Sequence, residues 1–238
     1  MASRDLLAQL TAQPREAAIM LDVDGTLAPI VSRPEDAPVP EQTRTIVSGL
    51  VGRYGLVACM SGRPGGEAER IVGVEGVQYV GEHGLELAPE AETWATELAS
   101  FADSVDWPHE PGKRLTLAFH YRMAEDMEAA EEVLRRVANR ATAVGLQPRW
   151  GRRVLEIRPP IDWDKGAAVR QLLADSGLRR ALYAGDDTTD IDAFRGLDGL
   201  ELAVRVAVVS SEAPAELEPA ADIVVDGPGS LALLLERL

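Results

Sequence analysis

The sequence of 238 residues predicts an α/β fold, a Rossmann-like parallel-sheet core interrupted by a smaller inserted α+β segment. Short, continuously apolar runs alternate with helical patterns toward both ends of the chain, the rhythm of a sheet covered on both faces. Two of these runs, Ala17 to Leu21 and Ala181 to Ala184, stop directly before Asp22 and before Gly185-Asp186-Asp187. Between them, from about Pro89 to Arg158, the rhythm changes to helix, strand, long helix and strand.

The run Ala17-Ala18-Ile19-Met20-Leu21 is short and has no polar face, so it reads as a strand buried on both sides. Asp22 then falls where open parallel sheets bind ligands, beyond a strand's carboxyl end. Gly25 permits a sharp turn that brings backbone N–H groups toward an anion and lets Asp22 and Asp24 address one small volume. A helix is expected near Glu41 to Val51, with strands at Leu56 to Met60 and near Val77 to Val80. The insertion reads as a helix near Thr93 to Val105, a strand Leu115 to Tyr121, a long helix and a strand Arg153 to Ile157. In the long helix Ala130, Val133, Leu134, Val137, Ala138 and Ala141 recur at helical spacing. Its acids (Glu125, Asp126, Glu128) come early and its bases (Arg135, Arg136, Arg140) late, complementing the helix dipole. After Pro159 and Pro160 the first rhythm resumes: a helix from Ala167 stopped by Gly177, the strand Ala181 to Ala184, strands at Leu202 to Val206 and Ile223 to Val225, and a short helix from Ser230. The expected division is 1–88 with 159–238 as the core domain and 89–158 as the inserted domain.

The formal charge of -15, from 24 Lys+Arg against 39 Asp+Glu, argues against nucleic acid or an anionic membrane as partner. It leaves room for a small anion met by a metal and a few placed cations. The single cysteine, Cys59, excludes an intramolecular disulfide and sits in an apolar run, so it reads as core. The residues from Met1 onward lack the long apolar stretch of a signal peptide, and no segment approaches a membrane span, which predicts a cytoplasmic location. No obligate protein partner is implied.

Crowded carboxylates repel, and a hard cation such as Mg²⁺ relieves the repulsion with oxygen ligands while leaving positions for a phosphate. Four places supply residues suited to phosphate chemistry: Asp22 and Asp24; Ser61 and Arg63; Lys165; and Asp186, Asp187 and Asp190. Each alone has an ordinary reading, as a turn, a helix cap or a surface lysine. In this order they provide every part needed for transfer through an aspartyl phosphate. Other signals carry less. Gly227-Pro228-Gly229 precedes the chain's last helix without the second strand and acid that a dinucleotide site needs. Ser61 lacks the flanking glycines of a hydrolase elbow. His83, His109 and His120 have no metal-ligand spacing, and Trp107, Trp150 and Trp163 read as packing residues before sugar platforms.

The motifs Asp22-Val23-Asp24-Gly25-Thr26, Ser61, Lys165 and Gly185-Asp186-Asp187 resemble those of the haloacid dehalogenase-like phosphatases, and the insertion lies where that family places its cap. More narrowly the chain is similar to the trehalose-6-phosphate phosphatases, through Asp24 to Ile30, Ser61-Gly62-Arg63, Glu82-His83-Gly84-Leu85-Glu86, His120-Tyr121-Arg122, Leu155 to Pro159, and Gly185 to Asp190. The resemblance implies Asp22 as nucleophile, Asp24 as general acid and base, Ser61 on a phosphoryl oxygen and Lys165 balancing charge. It implies Mg²⁺ held by Asp22, the Asp24 carbonyl and Asp186, with Asp187 and Asp190 orienting that shell. It also implies a small sugar phosphate as substrate, bound by Arg63 and by Lys113, Arg122, Arg152 and Glu156, the last four addressing the distal sugar. Pro111 and Gly112 stand between Glu110 and Lys113, Arg152 replaces a common Lys, and Ile191 replaces a usual Glu. The alternatives are another sugar phosphate, such as a glucosylglycerol-type phosphate, and a non-catalytic sugar-phosphate sensor.

Overall fold

The structure, a computed structural model, describes residues 2–30, 38–151, 153–211 and 213–238. It divides into two compact units, Met1–Leu85 with Trp163–Leu238, and Glu86–Asp162.

In the first unit six strands form one parallel sheet: β1 (Ala17–Asp22), β2 (Leu56–Met60), β3 (Gln78–Val80) and, after the second unit, strands Arg180–Gly185, Leu202–Val209 and Ile223–Asp226. The first strand lies at the centre, with Leu56–Met60 and then Gln78–Val80 on one side and the three later strands in succession on the other. Chain direction across the sheet therefore reverses beside β1, the position at which such sheets open a crevice at their carboxyl edge. All six residues of β1 are buried. Ala17, Ile19 and Leu21 join the large apolar cluster on one face, together with Leu182 and Ala184 of the neighbouring strand. By strand alternation Met20 and Asp22 take the opposite face, and Met20 is in register with Tyr183. Cys59 is buried in the same cluster as Ile19 and Leu21.

The helices of this unit in chain order are α1 (Ala2–Ala12), α2 (Glu41–Arg53) and α3 (Gly65–Val72), then helices Lys165–Ser176, Thr188–Gly196 and Gly227–Leu235. The helix ending at Ser176 stops where expected, Gly177 adopting the left-handed conformation (φ 67) that a glycine tolerates. Three helices went unanticipated here: α1, α3 and Thr188–Gly196. In α1, Leu10 is fully buried and Leu6 and Leu7 pack on the core, a stripe of only three residues. In α3, two glycines and three charges leave little apolar signal. The final helix begins at Gly227 and not Ser230, because Pro228 suits a first helical turn.

The second unit packs α4 (Ala95–Asp103) and α5 (Met127–Ala143) with an antiparallel sheet of β4 (Leu117–His120), β5 (Gln147–Gly151) and β6 (Val154–Arg158), β6 lying in the middle. Leu117, Phe119, Leu155 and Ile157 share one apolar cluster with Ala130, Leu134, Val137, Ala138 and Ala141 of the long helix. Asp126 caps that helix, its carboxylate accepting the Ala129 amide at 3.0 Å. The strand Gln147–Gly151 was not expected from the sequence. It is an edge strand with almost no buried residue and carries Pro148, so periodicity gives it no signature. The remaining elements are labelled in chain order: α6 (Lys165–Ser176), β7 (Arg180–Gly185), α7 (Thr188–Gly196), β8 (Leu202–Val209), β9 (Ile223–Asp226) and α8 (Gly227–Leu235). Among the described residues no helix is long and apolar enough to cross a membrane.

Candidate active site

The carboxyl ends of β1 and β7 bring together the acids that follow them. Asp22 closes β1, and the turn after it runs through Gly25 at φ 86, a backbone conformation suited to glycine. The Gly25 amide donates to Ala28 O at 2.8 Å and the Ala28 amide to Val23 O at 2.9 Å, which folds the turn back on itself. A Cβ at Gly25 would stand 2.1 Å from Asp186 Oδ2, so the missing side chain is the space that the Asp186 carboxylate fills. Gly185 plays the same part for Asp190, whose Cγ would lie 2.2 Å from an added Cβ. Thr26 is fully buried and its hydroxyl donates to Asp186 Oδ1 at 3.4 Å.

Lys165, the first residue of α6, sends its ammonium between two carboxylates: Nζ donates to Asp22 Oδ1 at 2.6 Å and to Asp190 Oδ1 at 2.7 Å. All three side chains are buried. Asp190 accepts at both oxygens. Tyr183 on β7 donates its hydroxyl to Oδ1 at 2.8 Å, and the amides of Asp186 and Asp187 donate to Oδ2 at 2.9 Å each. Asp190 therefore fastens the lysine, the strand and the acidic turn at once.

Among the described residues Asp22, Asp186 and Asp190 form the one cluster whose ligand atoms could share a metal, lying within 4.8 Å of one another. Burial pushes the Asp22 carboxyl well above the usual carboxylate range, against the pull of the Lys165 charge, and Asp190 and Asp186 add to the rise. Burial and then the Asp190 charge raise Asp186 to about 7. Burial pulls the Lys165 ammonium down, but Asp190 and Asp22 outweigh it and hold the lysine well above its ordinary value. One buried cation thus faces three buried acids, an excess of negative charge with oxygen donors throughout, which suits a hard divalent ion. The hydrogen bonds on both Asp190 oxygens leave Asp22 and Asp186 as the freer donors.

The Asp24 carboxylate stands outside that cluster. It receives Arg63 side-on, Nε at 2.9 Å to Oδ2 and Nη2 at 2.7 Å to Oδ1, and the Ser61 hydroxyl at 3.3 Å. Ser61 and Arg63 follow β2 in a loop tied down by backbone bonds from Ser61 N to Val80 O and from Glu82 N to Arg63 O. Arg63 also donates Nη1 to Glu67 Oε1 at 2.7 Å, and its amide to Ser61 Oγ at 3.0 Å. Of the residues singled out in the sequence, Asp22, Lys165, Asp186 and Asp190 gather in one group and Asp24, Ser61 and Arg63 in another. Asp187 is the N-cap residue of α7, and its amide donates to Asp190 Oδ2.

In the second unit Lys113 Nζ lies 3.3 Å from Glu110 Oε2, which also meets His120 Nε2 at 3.1 Å, so the two extra residues before Lys113 do not separate this pair. Glu156 stands opposite Ala118 and Arg149, on the sheet face turned from the apolar cluster. Arg122 is exposed, and Arg152 lies outside the described residues. Two residues escaped the sequence reading. Tyr183 sits within an apolar run and looks like core, while Glu67 looks like an ordinary helix-surface acid. The one signal for Glu67 was its place four residues after Arg63.

A family model for trehalose-phosphatase matches residues 20–110 and 111–222. The trehalose-phosphate phosphatase of Mycobacterium avium (strain 104) is 32% identical over 249 aligned residues, covering 94% of this chain and 62% of that protein. The chain thus spans under two thirds of that relative's length. Two solved structures share the fold. The C-terminal domain of a Candida albicans trehalose-6-phosphate phosphatase gives a TM-score of 0.72 at 20% identity, covering 98% of this chain and 94% of that one. A haloacid dehalogenase-like hydrolase from Bacteroides thetaiotaomicron gives 0.61 at 15% identity, covering 93% and 98%. The parallel sheet with its flanking helices and small antiparallel insertion is the architecture of these hydrolases, and on the match along its length the chain belongs to the trehalose-phosphatase family.

Proposed function

We propose that the chain is a Mg²⁺-dependent phosphatase that hydrolyses trehalose 6-phosphate to trehalose and phosphate through an aspartyl phosphate on Asp22. The observation that carries this reading is the buried Lys165 ammonium bonded at once to Asp22 and Asp190 beside Asp186. Family membership supports the substrate. The inserted Glu86–Asp162 unit is the cap, and Lys113, Arg122, Arg152 and Glu156 on it are assigned to the sugar.

Asp22 attacks phosphorus through a carboxylate oxygen as the bond to the sugar oxygen breaks, its electron pair leaving with that oxygen. Asp24 gives that oxygen a proton. Asp24 then takes a proton from the water that attacks phosphorus, and the bond to Asp22 breaks to restore the carboxylate. Ser61 donates to a phosphoryl oxygen, and Lys165 faces the negative charge that gathers there. Asp22, Asp186 and the Asp24 main-chain carbonyl are assigned as ligands of Mg²⁺, with Asp187 and Asp190 holding them in place. When bound, the ion supplies positive charge to the nucleophile and the phosphoryl oxygens.

Phosphate release from a panel of phosphorylated sugars with Mg²⁺ tests the reading. Trehalose 6-phosphate should lead in kcat/KM. A preference for another sugar by about tenfold, roughly 1.4 kcal/mol, would overturn the substrate assignment. No release from any sugar phosphate would point to a sensor.

Ion binding should depend on pH in one direction. The Asp186 carboxyl, raised to about 7 in the fold, holds a proton there that the unfolded chain has released, so without a cation stability falls as pH rises from about 4 to 7. A divalent ion competes with that proton. Its apparent affinity is expected to drop by about tenfold per pH unit below 7, and the rise in Tm on adding Mg²⁺ to be larger at pH 8 than at pH 6. Equal rises at both values would count against Asp186 as a ligand.

A further inference from the structure

We propose that Glu67 is a positioning residue for proton transfer to the leaving sugar: it tethers the Arg63 guanidinium, and that guanidinium fixes the Asp24 carboxylate in one orientation. This deepens the reading above and rests on its assignment of Asp24.

Arg63 spends one edge of its guanidinium on Asp24, through Nε and Nη2, and another donor, Nη1, on Glu67 at 2.7 Å. The cation is the most enclosed member of the trio. Its side chain is 9% exposed against 38% for Asp24 and 29% for Glu67. A guanidinium withdrawn from water is held by its acceptors, and a side-on pair fixes the plane of a carboxylate as well as its distance. Among the described residues the other side-chain bond to the Asp24 carboxylate is the 3.3 Å one from Ser61. Glu67 is anchored independently, in the first turn of α3, where its amide donates to Pro64 O at 2.9 Å. The order is anchor on the helix, arm in the loop, reacting carboxylate at the end. An ordinary helix-surface pair looks different: Arg70, 3.9 Å from the same Glu67 oxygen, is 71% exposed. With Glu67 removed, Arg63 loses the helix-borne acceptor of Nη1, and the Arg63–Asp24 pair loses its link to α3.

The leaving group separates this role from a structural one. A sugar alkoxide needs the Asp24 proton as the phosphorus–oxygen bond breaks, whereas p-nitrophenolate leaves as a stable anion without it. The ratio kcat/KM covers the steps through transfer to Asp22 and excludes the later hydrolysis. Glu67→Ala is therefore expected to lose about tenfold to a hundredfold in kcat/KM on trehalose 6-phosphate and less than about twofold on p-nitrophenyl phosphate, both with Mg²⁺. Glu67→Gln, which keeps an oxygen acceptor for Nη1, should restore most of the loss. Equal losses on both esters, or none on the sugar ester, overturn the proposal. A second readout needs no substrate: the Arg63 Nε–H resonance should exchange with solvent at least about tenfold faster in Glu67→Ala than in the unmodified chain. Unchanged exchange also overturns the tether. An unmodified chain inactive on trehalose 6-phosphate would defeat the functional reading instead, and the exchange measurement would still decide the tether.

Discussion

Asp22→Asn is expected to lower phosphate release by roughly 10⁴-fold or more, the scale of losing a covalent nucleophile, without lowering the stability of the metal-free protein. An amide retains the shape of the side chain and still offers its oxygen to Lys165 Nζ, which sits 2.6 Å from Asp22 Oδ1. It cannot attack phosphorus to give a hydrolysable acyl phosphate. The stability half of the expectation follows from the charge balance. Burial holds the Asp22 carboxyl well above its ordinary range despite the lysine, so its ionised form is unfavourable in the fold, and Asp190 remains to pair with Lys165. Removing one acid from an acid-rich cluster relieves repulsion. Phosphate assays beside urea unfolding curves in chelator check both halves. A variant that retains a tenth of the activity would remove Asp22 from the chemistry, and a variant that unfolds readily would show that the carboxylate is structural.

Lys165→Met carries the largest expected cost in stability, about 3–5 kcal/mol, because it leaves buried carboxylates without their shared cation. Lys165 is 2% exposed and binds Asp22 and Asp190 within 2.7 Å, so water cannot take its place without opening the helix start. The sign of the pH response is set. Without the ammonium, the buried carboxyls bind more protons in the fold than in the unfolded chain, whose carboxyls titrate near about 4, so the variant loses stability as pH rises toward neutrality and regains part of it on acidification. Urea unfolding at pH 5 and pH 7 measures this. A variant as stable as the parent at pH 7 would mean that the carboxylates do not depend on the lysine.

Where burial is continuous or one-sided, the sequence was a sufficient guide. The run Ala17 to Leu21 and the stripe on Met127–Ala143 announce themselves because each buries an unbroken or strictly periodic set of apolar side chains. The strand Gln147–Gly151 does not, since at the sheet edge its side chains face solvent and carry no period. The same contrast holds in the active site. Asp22, Lys165 and Asp186 could be singled out because, ordinary one by one, they follow in an order that together supplies the parts of phosphoryl transfer and resembles a known set of motifs. Tyr183 could not, because an aromatic within an apolar strand gives no sign that its hydroxyl ends on Asp190. Nor could Glu67, whose partner's burial depends on a loop fastened to the chain after β3.

The sequence by itself determined that the apolar runs Ala17 to Leu21 and Ala181 to Ala184 end in acids, and which acids and which lysine are candidates for the site. Only the tertiary structure decided their pairing: that Lys165, 143 residues from Asp22, bonds it and Asp190 together, and that Asp24 turns to Arg63 and away from the acidic cluster. The physical reason is that strand and helix signals are local, written in the side chains of neighbouring residues. A buried hydrogen bond between distant segments is fixed by strand order and by the space that Gly25 and Gly185 leave open.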